Sequence, residues 1–463
     1  MRSALFALLV VSTSFAATAA PRTLEEEAAH LRDSVLERNH AWDIVESLTT
    51  ETGPRLAGSP AEANARQWAV KKLTALGFKN VRIETFDVPG WERGTEKAYI
   101  TTPFPQALKL AALGFSGATP EQGIEAEVVP FSSLEEMEAA PDKAIKGKIV
   151  FITHRMPRMQ DLSANYVKLN PIRTAAPSIA ASKGAAAIII RSLGTDHHRN
   201  PHTGGTVWAA GVTPIPAAAL ALPDSDQLER VLSRGKPVRI KLRLTPRSLG
   251  TLQSGNVIAE IPGTDPSLGL VLAGGHLDSW DLATGAIDDG AGVALTTAAA
   301  KAILDSGKRP RRTIRIVWFG SEEIGIYGAR AYAAKYGDVP HALVGESDLG
   351  AGRILKLSSK VNPEDLGTIK SMLRVLAPLG VMTGDNNGDP APDVIPLVEL
   401  GVPLIAPFQD GLDYFDLHHT PDDTLDKINK DALTQNTATW AVILWIAANA
   451  DSTFARLPLQ PSH

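Results

Sequence analysis

The pattern of apolar and polar positions changes character twice along the chain. From Thr23 to Leu48, "TLEEEAAHLRDSVLERNHAWDIVESL" places apolar residues at helical spacing, opened by a capping-box signature of Thr23 and Glu26. "GSPAEANARQWAVKKLTALGF" repeats the logic: Ser59 caps, Pro60 is the first helical residue, Glu62 closes the box and Gly77 ends the helix. "VRIETFDV" then reads as a strand. Between about 120 and 250 the texture becomes one of short strands, "GKIVFIT", "AAAIIIRS" and "VRIKLRL", with "TAAPSIAASKGA" as a helix between the first two. After Asn256 buried-strand runs alternate with helical ones. "GLVLAGG", "TIRIVWFG" and "HALVGESD" are strands, separated by the helices "AGVALTTAAAKAILDSG" and "IYGARAYAAKY". "DVIPLVELGVPLIAP" is a helix feeding a strand, and a last helix runs from about Asp431 to Ala448.

This rhythm predicts an α/β fold: a mostly parallel twisted sheet with helices on both faces, interrupted by an inserted β-rich module. The expected parts are 20–119 and 254–463 for the α/β unit and 120–253 for the insertion. Ahead of them, Arg2, the apolar run Ala4 to Val11 and the small-residue site Ala17-Thr18-Ala19 read as an export signal over 1–19. That places the mature protein in the periplasm or outside the cell. The run is too short to span a bilayer, and no later segment is long enough.

Composition removes several classes of function. A net charge of −5 over 463 residues, with no long single-sign run, gives no reason to expect nucleic acid. The absence of Cys excludes disulfides, thiolate metal sites and Cys nucleophiles. No G-x-S-x-G elbow or phosphate-binding Gly loop is present.

What remains is the chemistry at the strand ends. After "GLVLAGG" come His276, Asp278 and, beyond a Gly-rich turn, Asp288 and Asp289. Glu322 and Glu323 follow "TIRIVWFG", Asp348 follows "HALVGE", and His418 and His419 follow "GVPLIAPFQD". In a parallel sheet these loops meet at one edge, where ligands bind. So many carboxylates repel one another unless a cation sits among them. Imidazole and carboxylate without sulfur suit Zn²⁺, with Mn²⁺ or Co²⁺ as alternatives. Two His and three carboxylates can give each of two metals one His, one terminal carboxylate and a shared bridge. One Glu of the pair is then free to act as general base in a metal-assisted hydrolysis.

The ordered strings "GGHLDSWD", "GAIDDGAG", "SEEIG", "ESD" and "HHTPDDT" resemble the M28 zinc peptidases, and most of all their carboxypeptidase Q branch. The module around "GKIV" and "KGAAAIII" is similar to a protease-associated domain. The resemblance implies two zinc ions per chain, one held by His276 and Asp348, the other by Glu323 and His419, with Asp288 bridging. It implies Glu322 as general base and a cis peptide between the paired Asp residues. Asp278 and Asp289 are expected just outside the ligand set, with Asp278 orienting His276. His418 stands where some relatives carry a Tyr that stabilises the tetrahedral intermediate, and is the candidate for that role. The choice of His419 as ligand rests on the register of "HTPDDT". His202, in "NPHTG", is a candidate to reach over the substrate. Arg55, in "TGPRLAGSPA", is either structural or lines the pocket. The implied function is an exported exopeptidase of dipeptides or short peptides, working as a homodimer. An aminopeptidase with the same centre, a glutaminyl cyclase and a non-catalytic receptor-like protein are the alternatives.

Overall fold

The computed structural model describes residues 22–160 and 163–459; the expected export signal lies outside them. Two eight-stranded sheets organise the chain. The first runs, edge to edge, Lys79–Glu92, Arg247–Ile261, Thr313–Phe319, Leu270–His276, His341–Glu346, Leu404–Gln409, Ile354–Lys360 and Met382–Thr383. Its four central strands, from Thr313–Phe319 to Leu404–Gln409, are mutually parallel. Antiparallel pairs flank them on both sides.

Side-chain alternation explains why helices cover both faces. In "TIRIVWF" all seven residues are buried. Ile314, Ile316 and Trp318 join a core with the helices Leu24–Glu37, Ala41–Glu51, Ala291–Asp305 and Lys430–Asn449. Val317 and Phe319 face the opposite core, with Leu272, Val344, Ala329 and Leu397. A strand buried on both faces has no polar side to show, which is the signature of a covered parallel sheet.

Two local expectations need correction. The N-terminal pattern is two helices, Leu24–Glu37 and Ala41–Glu51, because the Asn39 side chain accepts from the Ala41 N–H (3.0 Å) and competes with helix continuation. The box at Ser59 is half formed. Ser59 Oγ accepts from the Glu62 N–H (3.1 Å), but the Glu62 carboxylate is buried and pairs with Arg66 (2.8 Å) and Ser254 (3.0 Å). The box at Thr23 is complete.

All strands of the second sheet lie between Glu96 and Leu244. Three of them, Glu96–Thr102, Gln106–Leu108 and Leu110–Ala112, precede residue 120, so the expected start of the insertion falls inside this sheet. The chain leaves the first sheet on Lys79–Glu92 and returns on Arg247–Ile261, which pair with each other. Among the described residues, no helix is long and apolar enough to cross a membrane.

Candidate metal centre

The four parallel strands end at one edge, and their loops carry every expected metal ligand. His276 is the last residue of Leu270–His276 and is fully buried. Gly275 before it is required: a Cβ there would fall 2.2 Å from Asp289 Oδ2. In its absence the Asp289 carboxylate lies against the strand and accepts from the N–H of His276 (3.0 Å) and of Gly292 (3.0 Å) at the start of the next helix. A carboxylate at a helix N-terminus is favourably placed. Asp289 therefore locks strand to helix, and its neighbour Asp288 turns the other way. The peptide between them is cis.

Asp288 lies between two imidazoles. Its Oδ1 is 3.0 Å from His276 Nε2, and its Oδ2 is 3.3 Å from His419 Nε2. Asp348 Oδ1 is 3.3 Å from His276 Nε2, and Glu323 Oε2 is 2.9 Å from His419 Nε2. The far nitrogens fix the tautomers. His276 Nδ1 faces the Asp278 carbonyl (2.9 Å) and His419 Nδ1 the Thr203 carbonyl (3.2 Å). A carbonyl only accepts, so each Nδ1 carries a proton, and each Nε2 is the ring nitrogen left facing two carboxylate oxygens.

The electrostatics follow from this crowding. Burial opposes charge on Asp288, yet His276 and His419 beside it hold its carboxyl well below the usual range. Burial likewise disfavours charge on His419, but Glu323 and Asp288 outweigh it and push it up to about 9. Burial raises Asp348 to about 6 and, with Asp348 close by, lifts Glu322 well above an ordinary Glu.

Glu322 and Glu323 diverge. Ser321 takes a left-handed φ of 64°, which turns the chain at the strand end. Glu323 reaches His419, while the Glu322 carboxylate accepts no hydrogen bond among the described residues; its N–H donates to Asp278 Oδ1 (3.1 Å). Asp278 thus differs from expectation. Its backbone carbonyl, not its carboxylate, orients His276; the carboxylate is 3.8 Å from Nδ1 and holds the Glu322 backbone instead. His418 stacks on His419 (3.5 Å between ring centres), with Nε2 3.7 Å from Asp288 Oδ2. Burial, then His419, keeps it neutral by lowering it well below an ordinary His.

The two substrate-binding candidates lie elsewhere. Arg55 is fully buried and donates to the carbonyls of Leu277 (2.6 Å), Gly53 (3.0 Å), Thr284 and Gly285 (3.0 Å), so it pins the loop carrying Asp288. His202 has both ring nitrogens engaged, by Asp196 (2.6 Å) and the His418 carbonyl (2.8 Å), so neither is free for a ligand. Sequence reasoning missed Asp423, which accepts from the N–H of Ile287 (2.6 Å) and Asp288 (3.3 Å). Its place in "HHTPDDT" was the available signal. It also missed Arg173 and Thr203, which reach His419 from the second-sheet unit and carry no local signature.

The Peptidase family M28 model matches residues 256–444, the segment that supplies all these ligands. Human carboxypeptidase Q is 32% identical over 421 residues, 90% of this chain and 87% of that one. The chain belongs to peptidase family M28. A crystal structure of an M28 peptidase precursor from Shewanella amazonensis is 46% identical, with a TM-score of 0.92 over 95% of this chain and 99% of that one. A zinc aminopeptidase from Bacillus subtilis shares the fold, at 19% identity and a TM-score of 0.65 over 91% and 98%. In this M28 chain the matched segment spans the central parallel strands and their loops, while Arg55 and the second sheet fall outside it.

Proposed function

We propose that this chain is an exported di-zinc exopeptidase, carboxypeptidase Q-like, that hydrolyses dipeptides or short peptides. The second sheet, on this reading, is a protease-associated domain inserted into the catalytic unit. The observation that carries the proposal is Asp288 with one oxygen toward each of two histidines, each histidine also facing a second carboxylate. Two imidazole nitrogens and the oxygens of three carboxylates converge there, and Asp288 Oδ2 is buried without a hydrogen-bond partner. Such a set fits a divalent cation on each side of Asp288, and nitrogen and oxygen donors without sulfur fit zinc. His276 and Asp348 would hold one ion, Glu323 and His419 the other, and Asp288 both. When bound, such ions polarise a carbonyl and acidify water.

The chain's own residues supply the rest. Glu322, with a free carboxylate and a raised pKa, takes a proton from the attacking water and returns it to the leaving amine. His418, held neutral, donates a ring N–H toward the oxygen on which charge develops. Asp278 fixes where Glu322 begins. The export reading is supported by the apolar run Ala4 to Val11 and the small-residue site that follows.

The test is a dipeptide panel, free, N-blocked and C-amidated, run with the unmodified protein and with Glu322→Gln. Cleavage of the free dipeptide that falls by about a thousandfold or more in Glu322→Gln is the expected result. Undiminished cleavage in the variant would remove Glu322 from the mechanism.

A further inference from the structure

Arg173 belongs to the short helix Pro171–Thr174 of the second-sheet unit and is 9% exposed. Among the described residues its guanidinium forms no ion pair with a carboxylate. Its Nε is buried without a hydrogen-bond partner, and among those residues the guanidinium's hydrogen-bond contact is His419 Nδ1, 3.0 Å from Nη1. That neighbour is not an acceptor once His419 is oriented by the Thr203 carbonyl, because Nδ1 then carries a proton of its own. The Tyr166 ring lies 5.6 Å from the guanidinium and meets His418 edge-on at 5.1 Å. Gly204 makes room for the arrangement: a Cβ there would come 2.1 Å from Arg173 Nη1. The chain is thus shaped to bring a guanidinium to the flank of the candidate metal centre, where no described residue supplies it with a counter-charge.

A buried cation without an anion is costly. The nearby acids, Glu323 and Asp288, face the other nitrogen of His419, and their charge is consumed by whatever cation they hold. The missing anion must then arrive with the ligand. We propose that Arg173 receives the free α-carboxylate of the peptide substrate, so that the site selects a C-terminus rather than a free amine. This rests on the metallopeptidase reading above. The planar fork of a guanidinium matches a carboxylate. Arg173 stands one imidazole width from the metal-facing nitrogen of His419. One residue of extended chain spans about 3.3–3.6 Å. A carboxylate one residue beyond the scissile bond falls within its reach, which fits dipeptides and the release of single C-terminal residues.

The experiment uses the zinc-loaded Glu322→Gln protein, which binds without turnover, and compares a dipeptide with its C-terminal amide by calorimetry. The free acid should bind about tenfold or more tighter. Adding Arg173→Met should erase that difference, leave the amide's affinity little changed and leave zinc content unchanged. Discrimination that survives in Arg173→Met would overturn the assignment, as would loss of zinc, which would make Arg173 a support for His419. Should Arg173→Met fail to fold, the unmodified zinc-loaded protein decides. An N-acetyl amino acid should raise its thermal midpoint and the matching amide should not; equal shifts would overturn the proposal. If the unmodified protein holds no zinc and cleaves nothing, the metallopeptidase reading fails and takes this inference with it. If it cleaves and Arg173→Met keeps the preference for the acid, only the role of Arg173 fails.

Discussion

Asp288 cannot hold its position alone. Its backbone is fixed by Asp423, whose two oxygens take the N–H groups of Ile287 and Asp288. Asp423→Asn would replace one acceptor by a donor and push the Asp288 peptide away. Metal affinity should fall about tenfold or more, measured by competition with a chelator, while the apo protein stays folded. Arg55 acts on the same loop from the other side through four carbonyls. Arg55→Met would leave those buried acceptors without donors and should cost about 3 kcal/mol in a urea titration. At this scale the sequence was legible where a residue type has one chemistry. His276, Asp288, Glu323, Asp348 and His419 converge as the strand-end reading predicted. It was illegible where a residue's use depends on what surrounds it. Nothing local to Arg55 says that four carbonyls will absorb its donors, nor to His202 that a carboxylate and a carbonyl will engage both ring nitrogens.

At the scale of elements, His341 shows how one strand is tied to one helix. It opens the strand His341–Glu346, its Nδ1–H donates to the Val339 carbonyl (2.7 Å), and its Nε2 accepts from Tyr332 of the helix Tyr327–Tyr336 (3.0 Å). The bond from Tyr332 needs the neutral ring, and burial lowers its pKa to about 4. The folded value lies below the unfolded one of about 6.5, so the unfolded chain binds the proton first. The stability His341 contributes is complete above about pH 6.5 and is lost as pH falls through 4. Between pH 7 and 5 the loss should be about 2 kcal/mol for the apo protein. His341→Gln should flatten that part of the stability profile; an unchanged slope would refute the assignment. Element types were legible because buried strands and capped helices have distinct periods. The break at Asn39 was not, since the apolar spacing runs through it and one side-chain hydrogen bond decides the outcome.

On the scale of the whole molecule, loops of the second-sheet unit border the candidate metal centre. Thr203 donates its N–H to the His419 carbonyl (3.0 Å) and accepts from the ring, and His202 braces His418. Arg93 rivets the two units. It pairs with Asp281, beyond the first sheet's strand Leu270–His276, and with Glu96 (3.0 Å) and the Ala112 carbonyl of the second. Arg93→Ala should destabilise the protein by about 3 kcal/mol, read from its thermal midpoint. The second sheet was legible as a change of texture. Where it begins was not, because "EKAYITT" is an ordinary strand pattern and only its pairing with Arg239–Leu244 assigns it to the second sheet.

The central claim is that Asp288 joins two metal positions. Zinc analysis of the purified protein after dialysis against zinc tests it most directly, alongside Glu322→Gln and Asp288→Asn. The expected result is about two zinc per chain in the unmodified protein and in Glu322→Gln, and loss from both positions in Asp288→Asn. A folded, unmodified protein that holds one zinc or none, or an Asp288→Asn variant that keeps both, would contradict it.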